Sequence, residues 1–143
     1  MIRWNARFEV GISAIDEQHK LFISKINELG QMTKSTNPTV GQMAFVIDLV
    51  DFIESYADNH FRHEENCMER FRCPVHEINM GEHQAFLASY REFKKRWASG
   101  GYSTETLTQL HRMTSDWIQK HILGVDVHLR EVVGRCGDGG SGS

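Results

Sequence analysis

Between Val46 and Glu64 the chain sets Val46, Leu49, Val50, Ile53, Ala57, His60 and Glu64 along a single helical stripe. Such spacing lines one side of an α-helix, whereas a strand would send every second residue to the opposite face. The stripe is apolar at first and then ends in an imidazole and a carboxylate. His60 and Glu64 stand at i and i+4, ~40° apart around the axis and about one turn apart along it. A face of this kind must be buried against other helices, and its ionisable end must find compensation there.

Three other segments repeat the pattern. The first is expected to begin at Asp16 as N-cap, with Ile15 just outside. Its stripe holds Phe22, Ile23, Ile26 and Leu29 and also contains His19. The segment containing Val46 starts near Pro38 and runs to about Phe71, approaching ~50 Å at the rise of an α-helix. The third follows Pro74 and carries Asn79, His83, Phe86, Leu87, Tyr90 and Trp97 before "ASGG" stops it. The fourth, from about Thr104, carries Leu107, Leu110, Thr114, Trp117, Ile118 and His121. The only 2 prolines, Pro38 and Pro74, fall between segments. No segment alternates with period two.

The expected fold is therefore all-α, an up-down-up-down four-helix bundle. "MIRWNARFEVGI" has no helical period and reads as an extended arm packed across the bundle. Residues 1–134 read as one domain and 135–143, "CGDGGSGS" with its preceding residue, as a Gly/Ser-rich tail or linker.

Composition removes several functions. With 16 Lys and Arg against 19 Asp and Glu, the net charge of −3 gives no case for nucleic acid or an anionic membrane. No apolar run reaches the ~18 to 20 residues of a membrane span, so no membrane insertion is expected. The N-terminus lacks the apolar core of a signal peptide. Cys67, Cys73 and Cys136 have no C-x-x-C spacing, which speaks against a disulfide framework or a thiolate zinc site and for a cytoplasmic location. No P-loop, dinucleotide fingerprint or Ser/His/Asp signature is present.

A lone histidine on an apolar face is ordinarily a hydrogen-bonded core residue. Here every helix carries at least one: His19, His60 with Glu64, His83, and His121 followed by Asp126. Burying carboxylates in an apolar core is very costly without a counter-charge, and metal ions supply one. Imidazole and carboxylate without thiolate suit iron, manganese or zinc. Six ligands exceed the four of a closed tetrahedral zinc, so two metals bridged by Glu64 and Asp126, with terminal histidines, use every group. The five-residue step from His121 to Asp126 turns ~140° off the original face. A wide turn helped by Gly124 is expected to bring Asp126 back.

"VGISAIDEQHKLF", "HFRHEENCM", "CPVHEINMGEHQAF" and "WIQKHILGVD" resemble the successive motifs of bacterial hemerythrins, in order and at family spacing over residues 4 to about 133. The resemblance implies a non-haem di-iron site with an oxo or hydroxo bridge, binding O2 or a small anion as exogenous ligand. His19 and His60 would match the histidines of the iron that meets O2. His83 and His121 would match ligands of the other, and Glu64 and Asp126 the bridging carboxylates. Trp117 and Ile118 would line the ligand pocket, and ordinary core packing accounts for them equally well.

The sequence departs from the family at Asn79, where H-x-x-x-H normally begins. Asn79 could ligate through its amide oxygen, or leave the position to water or an anion. His76 could instead substitute, but it stands seven residues from His83, ~10.5 Å along a helix. The preferred reading is water or an anion, with amide ligation second. An open second iron is expected to favour redox or O2 sensing over storage. The resemblance thus implies an input module of a larger signalling protein, such as a diguanylate cyclase or chemotaxis receptor, with a covalently attached output domain. A free-standing O2 carrier is the alternative, and a di-iron oxidase or peroxidase is less favoured because such enzymes use more carboxylates. His63, His111 and His128 fall outside the ligand register and are expected to be exposed or hydrogen-bonded. Cys67 and Cys73 are expected as half-buried thiols.

Overall fold

The computed structural model describes residues 1–35 and 37–131. Four helices form the bundle: α1 Ser13–Met32, α2 Val40–Arg70, α3 His76–Gly100 and α4 Thr104–Gly124. Each packs on its chain neighbour, and α4 closes the ring against α1. Among the described residues there is no strand. Among the described residues no helix is long and apolar enough to cross a membrane. The tail expected at 135–143 lies outside the described residues.

Local chemistry sets the helix ends. Thr39 caps α2 in a reciprocal box, its hydroxyl accepting from the Gln42 amide while the Gln42 side chain accepts from Thr39 N. Ser103 caps α4 through Thr106 N. The turn after α2 is a Schellman motif: Cys73 N donates to Met68 O, Arg72 N to Glu69 O, and Arg72 takes the left-handed conformation at φ 53°. Helix α1 begins at Ser13, three residues before the expected cap at Asp16. Asp16 instead accepts from Val10 N at 2.8 Å and Gly11 N at 3.4 Å, tying down the arriving chain, with Gly11 at φ +89°.

The N-terminal arm packs across the bundle as expected and contains one short 3-10 turn, Ala6–Phe8. Ile2 and Phe8 enter the core, and Asn27 fixes the arm by exchanging two hydrogen bonds with the Ile2 backbone. From the far end of the chain, Arg130 donates to the carbonyls of Ala6, Arg7 and Glu9.

The core has two apolar clusters. The larger runs through the bundle and includes Phe22, Ile26, Ile53, Phe61, Phe86, Tyr90 and Ile118. The smaller, at one end, joins Val10, Ile12 and Ile15 to Met68, Phe71, Val125 and Leu129. Three of the functional candidates lie between them in sequence: His19 between Ile15 and Phe22, Glu64 between Phe61 and Met68, His121 between Ile118 and Val125. A buried polar layer is thereby placed between two apolar ones. Cys67 and Cys73 lie in the smaller cluster and are buried, correcting the half-buried expectation. His63 is exposed and hydrogen-bonded to Gln18. His111 is partly buried with its ring over Gly30, and burial lowers its pKa.

Candidate metal centre

His19, His60, Glu64, Asn79, His83, His121 and Asp126 are all buried, and none is more than 3% exposed. Two groups of converging donor atoms emerge, His19 with His60 and Glu64, and Glu64 with His83, His121 and Asp126. Within each group the atoms lie within 4.8 Å of one another. Glu64 belongs to both.

The carboxylates span the two halves. Glu64 Oε2 lies 3.0 Å from His19 Nε2 and 3.6 Å from His60 Nε2, while Oε1 lies 3.1 Å from His83 Nε2. Asp126 sends Oδ2 to within 3.2 Å of His19 Nε2 and Oδ1 to within 3.1 Å of His121 Nε2. Each carboxylate thus offers one oxygen to each histidine pair.

The break that delivers Asp126 falls at Val125, not at Gly124. Gly124 completes α4, and Val125 leaves the helical region at φ −123° and ψ −58° before a 3-10 turn over Asp126–His128. Val125 is held by the smaller apolar cluster, so packing rather than glycine freedom redirects the chain. Because the turn changes direction, Asp126 enters the layer from the end of the bundle and not from a helix face.

The outward ring nitrogens are fixed by groups that sequence reasoning missed. His60 Nδ1 donates to Gln18 Oε1 at 2.6 Å, His83 Nδ1 to Glu65 Oε2 at 2.7 Å, and His121 Nδ1 to Glu82 Oε1 at 2.6 Å. An amide or carboxylate oxygen can only accept, so each Nδ1 carries the proton and a neutral ring presents a bare Nε2 inward. The signal was position: Gln18, Glu65 and Glu82 each adjoin a site residue and so lie beside the inward face. In sequence they resemble any solvated charge.

These residues fit metal ions on an observation of their own. Both Asp126 oxygens and His60 Nε2 are buried without a hydrogen-bond partner. Buried polar atoms are seldom left so. Electrostatics point the same way. Burial by itself lowers the pKa of His19, yet the close carboxylates of Asp126 and Glu64 raise it to about 10. Burial likewise opposes protonation of His121, and Asp126, Glu64 and Glu82 outweigh it, raising the pKa to about 9. His60 falls to about 3 through burial and the neighbouring His19 charge. Burial would raise the Glu64 pKa, but its histidine partners hold it well below the usual carboxylate range. Two protons on imidazoles therefore balance two buried carboxylates, a charge role that cations fill when bound.

Asn79 lies in the same layer on the His83 side. Its Nδ2 donates to Glu64 Oε1 at 3.1 Å, and its Oδ1 is buried without a partner. His76 belongs to neither donor group. Trp117 stacks on His121, with ring centroids 4.4 Å apart and planes at 11°, and Phe61 stacks on His83 at 3.8 Å and 4°. The aromatics nearest His60 are instead Phe61 at 5.9 Å and Phe22 at 6.4 Å. Trp117 thus walls the His83–His121 half, and Ile118 is part of the main core.

Comparison with known proteins agrees with this architecture. Residues 10–130 match the family model described as the hemerythrin HHE cation binding domain. A bacteriohemerythrin of Stenotrophomonas maltophilia is 29% identical over 126 residues, spanning 88% of this chain and 77% of its own. One from Pseudomonas aeruginosa is 24% identical, spanning 91% and 80%. Another, from Clostridium acetobutylicum, is 25% identical, spanning 88% and 96%. With a matching model over nearly all of the bundle and a buried cation-binding layer at its centre, this chain belongs to the hemerythrin family.

Proposed function

We propose that the polar layer holds two non-haem irons and that the domain binds O2 or a small anion as a redox or O2 sensor. The observation that carries the reading is the shared geometry of the carboxylates, with Glu64 and Asp126 each presenting one oxygen to each histidine pair. His19 and His60 would hold one iron, His83 and His121 the other, and Glu64 and Asp126 would bridge them. When bound, such a pair supplies O2 affinity and one-electron redox chemistry. Phe22, Phe61, Phe86 and Trp117 exclude bulk water from the layer and lower its dielectric.

Binding and sensing fit better than turnover, because the layer is rich in histidine and has no paired E-x-x-H motifs. Asn79 supports sensing over storage. With an amide where the resemblance implies imidazole, an iron at His83 and His121 would keep two histidines and a position for water or an anion. The route out runs through Asp126. Its 3-10 turn leads into Leu129, in the smaller apolar cluster, and Arg130, which clasps the arm. A change in how Asp126 is held would move that clasp, and an attached signalling domain such as a diguanylate cyclase would read it. A free-standing O2 carrier is the second reading, favoured if the reduced protein binds and releases O2 without oxidising.

Metal analysis joined to absorption spectra of air-oxidised and dithionite-reduced protein tests the centre. Two irons per chain and near-ultraviolet bands that bleach on reduction are expected. Two zincs and no colour would overturn the function and leave the fold intact.

A further inference from the structure

The four imidazoles are backed unequally. Both rings on one side donate their outer N–H to carboxylates, His83 to Glu65 at 2.7 Å and His121 to Glu82 at 2.6 Å. On the other side His60 donates to the neutral amide of Gln18, and His19 Nδ1 is buried with no partner. An accepting carboxylate draws the ring proton outward, so the inward nitrogen becomes a stronger donor and carries more negative charge. A neutral amide does so less, and an absent partner not at all. Glu65 is a fifth exposed and Glu82 less than half, which softens the effect without removing it, since both bonds are short.

Resting on the di-iron reading, we infer that Glu65 and Glu82 are positioning residues that bias the pair electronically, so that the first electron lost leaves from the His83–His121 position. They offset the donor lost at Asn79, because two enriched imidazoles stand where three ordinary ones would. The first step turns one iron(II) to iron(III) and passes one electron to an external oxidant such as ferricyanide. The Nδ1 protons stay between ring and carboxylate, and none is released. The second step removes an electron from the His19–His60 position, where donation is weaker and the ferric state is less stabilised.

Three variants read the bias through potentials and metal retention. Glu65→Gln and Glu82→Gln keep an accepting oxygen and remove its charge, while Gln18→Glu adds charge behind His60. In anaerobic titrations of the iron-loaded protein with ferricyanide, Glu65→Gln and Glu82→Gln should raise the potential of the first step and leave the second nearly unmoved. Gln18→Glu should lower the second, so all three narrow the gap between the steps. Chelator competition should show one of the two irons lost ~10- to 100-fold more readily in Glu65→Gln and Glu82→Gln, as for other partners of metal-bound histidines. Equal movement of both steps, or an unchanged gap in all three variants, overturns the inference while the centre stands. A wild-type chain that takes up no metal pair overturns the proposed function and the inference with it.

Discussion

The two halves of the buried layer share both carboxylates and differ in nearly everything else. The His19–His60 half has one amide-backed ring and one ring with a bare outer nitrogen, and Phe22 beside it. The His83–His121 half has two carboxylate-backed rings, each stacked on an aromatic, and Asn79 donating to Glu64 beside them. The difference teaches that a symmetric fold, four helices contributing in turn, can build two chemically distinct positions through residues outside both donor groups.

The severest way to break this contrast is to remove what the halves share. Glu64→Ala should abolish retention of both irons, whereas His121→Ala should release one and keep the other. Iron counts per chain after desalting check this. If Glu64→Ala keeps a full pair, the halves are not joined through Glu64.

A metal-free protein gives the next largest effect. His19 at about 10 and His121 at about 9 stand above the ordinary histidine value of 6.5. Their protons stabilise the fold fully below 6.5, and that contribution disappears as pH rises through 9 to 10. His60, at about 3, acts oppositely: below 6.5 the unfolded chain takes up a proton that the folded ring refuses. Glu64, held low, contributes stability that is lost as pH falls through its folded value. Thermal melts of the metal-free protein should therefore peak near neutrality and weaken by a few kcal/mol toward pH 10. Iron loading should flatten the alkaline limb, because cations replace those protons. An alkaline limb that is flat without metal would refute the charge balance.

How much of this was legible follows from where each residue sits. Stripe positions such as Ile53, His60 and Glu64 are visible because a helix repeats its face, and the bundle and its order followed from four such stripes, while the arm was read from a stretch with no helical period. Asp126 lies off any stripe; its arrival through Val125 depends on packing against Leu129 and Met68, which no local spacing encodes. The start of α1 was misplaced because Asp16 has the chemistry of a cap, and its oxygens go to Val10 and Gly11 instead. Gln18, Glu65 and Glu82 escaped notice because a residue beside a ligand points across a helix boundary, and its partner is set by the neighbouring helix.

Asn79→His sharpens the contrast at a smaller scale. An imidazole here replaces the amide that now donates to Glu64 Oε1 and adds a third histidine to the His83–His121 half. Retention of an iron at His83 and His121 should rise by ~10-fold or more, equivalent to ~1.4 kcal/mol. Conversion of the reduced, air-exposed protein to its oxidised spectrum should slow. Unchanged autoxidation would mean that the position at Asn79 does not govern the redox lifetime.

The smallest expected effect separates stability from metal chemistry. Arg72 holds the left-handed position of the Schellman turn, at φ 53°. A side chain there costs ~1–2 kcal/mol that glycine avoids. Glycine also gives the unfolded chain more freedom, which returns ~0.5–1 kcal/mol of that gain. Arg72→Gly should therefore raise the unfolding free energy by at most ~1.5 kcal/mol in metal-free protein. Arg72 is exposed and belongs to neither donor group, so the two one-electron steps should stay where they are. If they move as far as in Glu82→Gln, the potentials follow the firmness of the whole bundle, and the contrast between its halves is not what sets them.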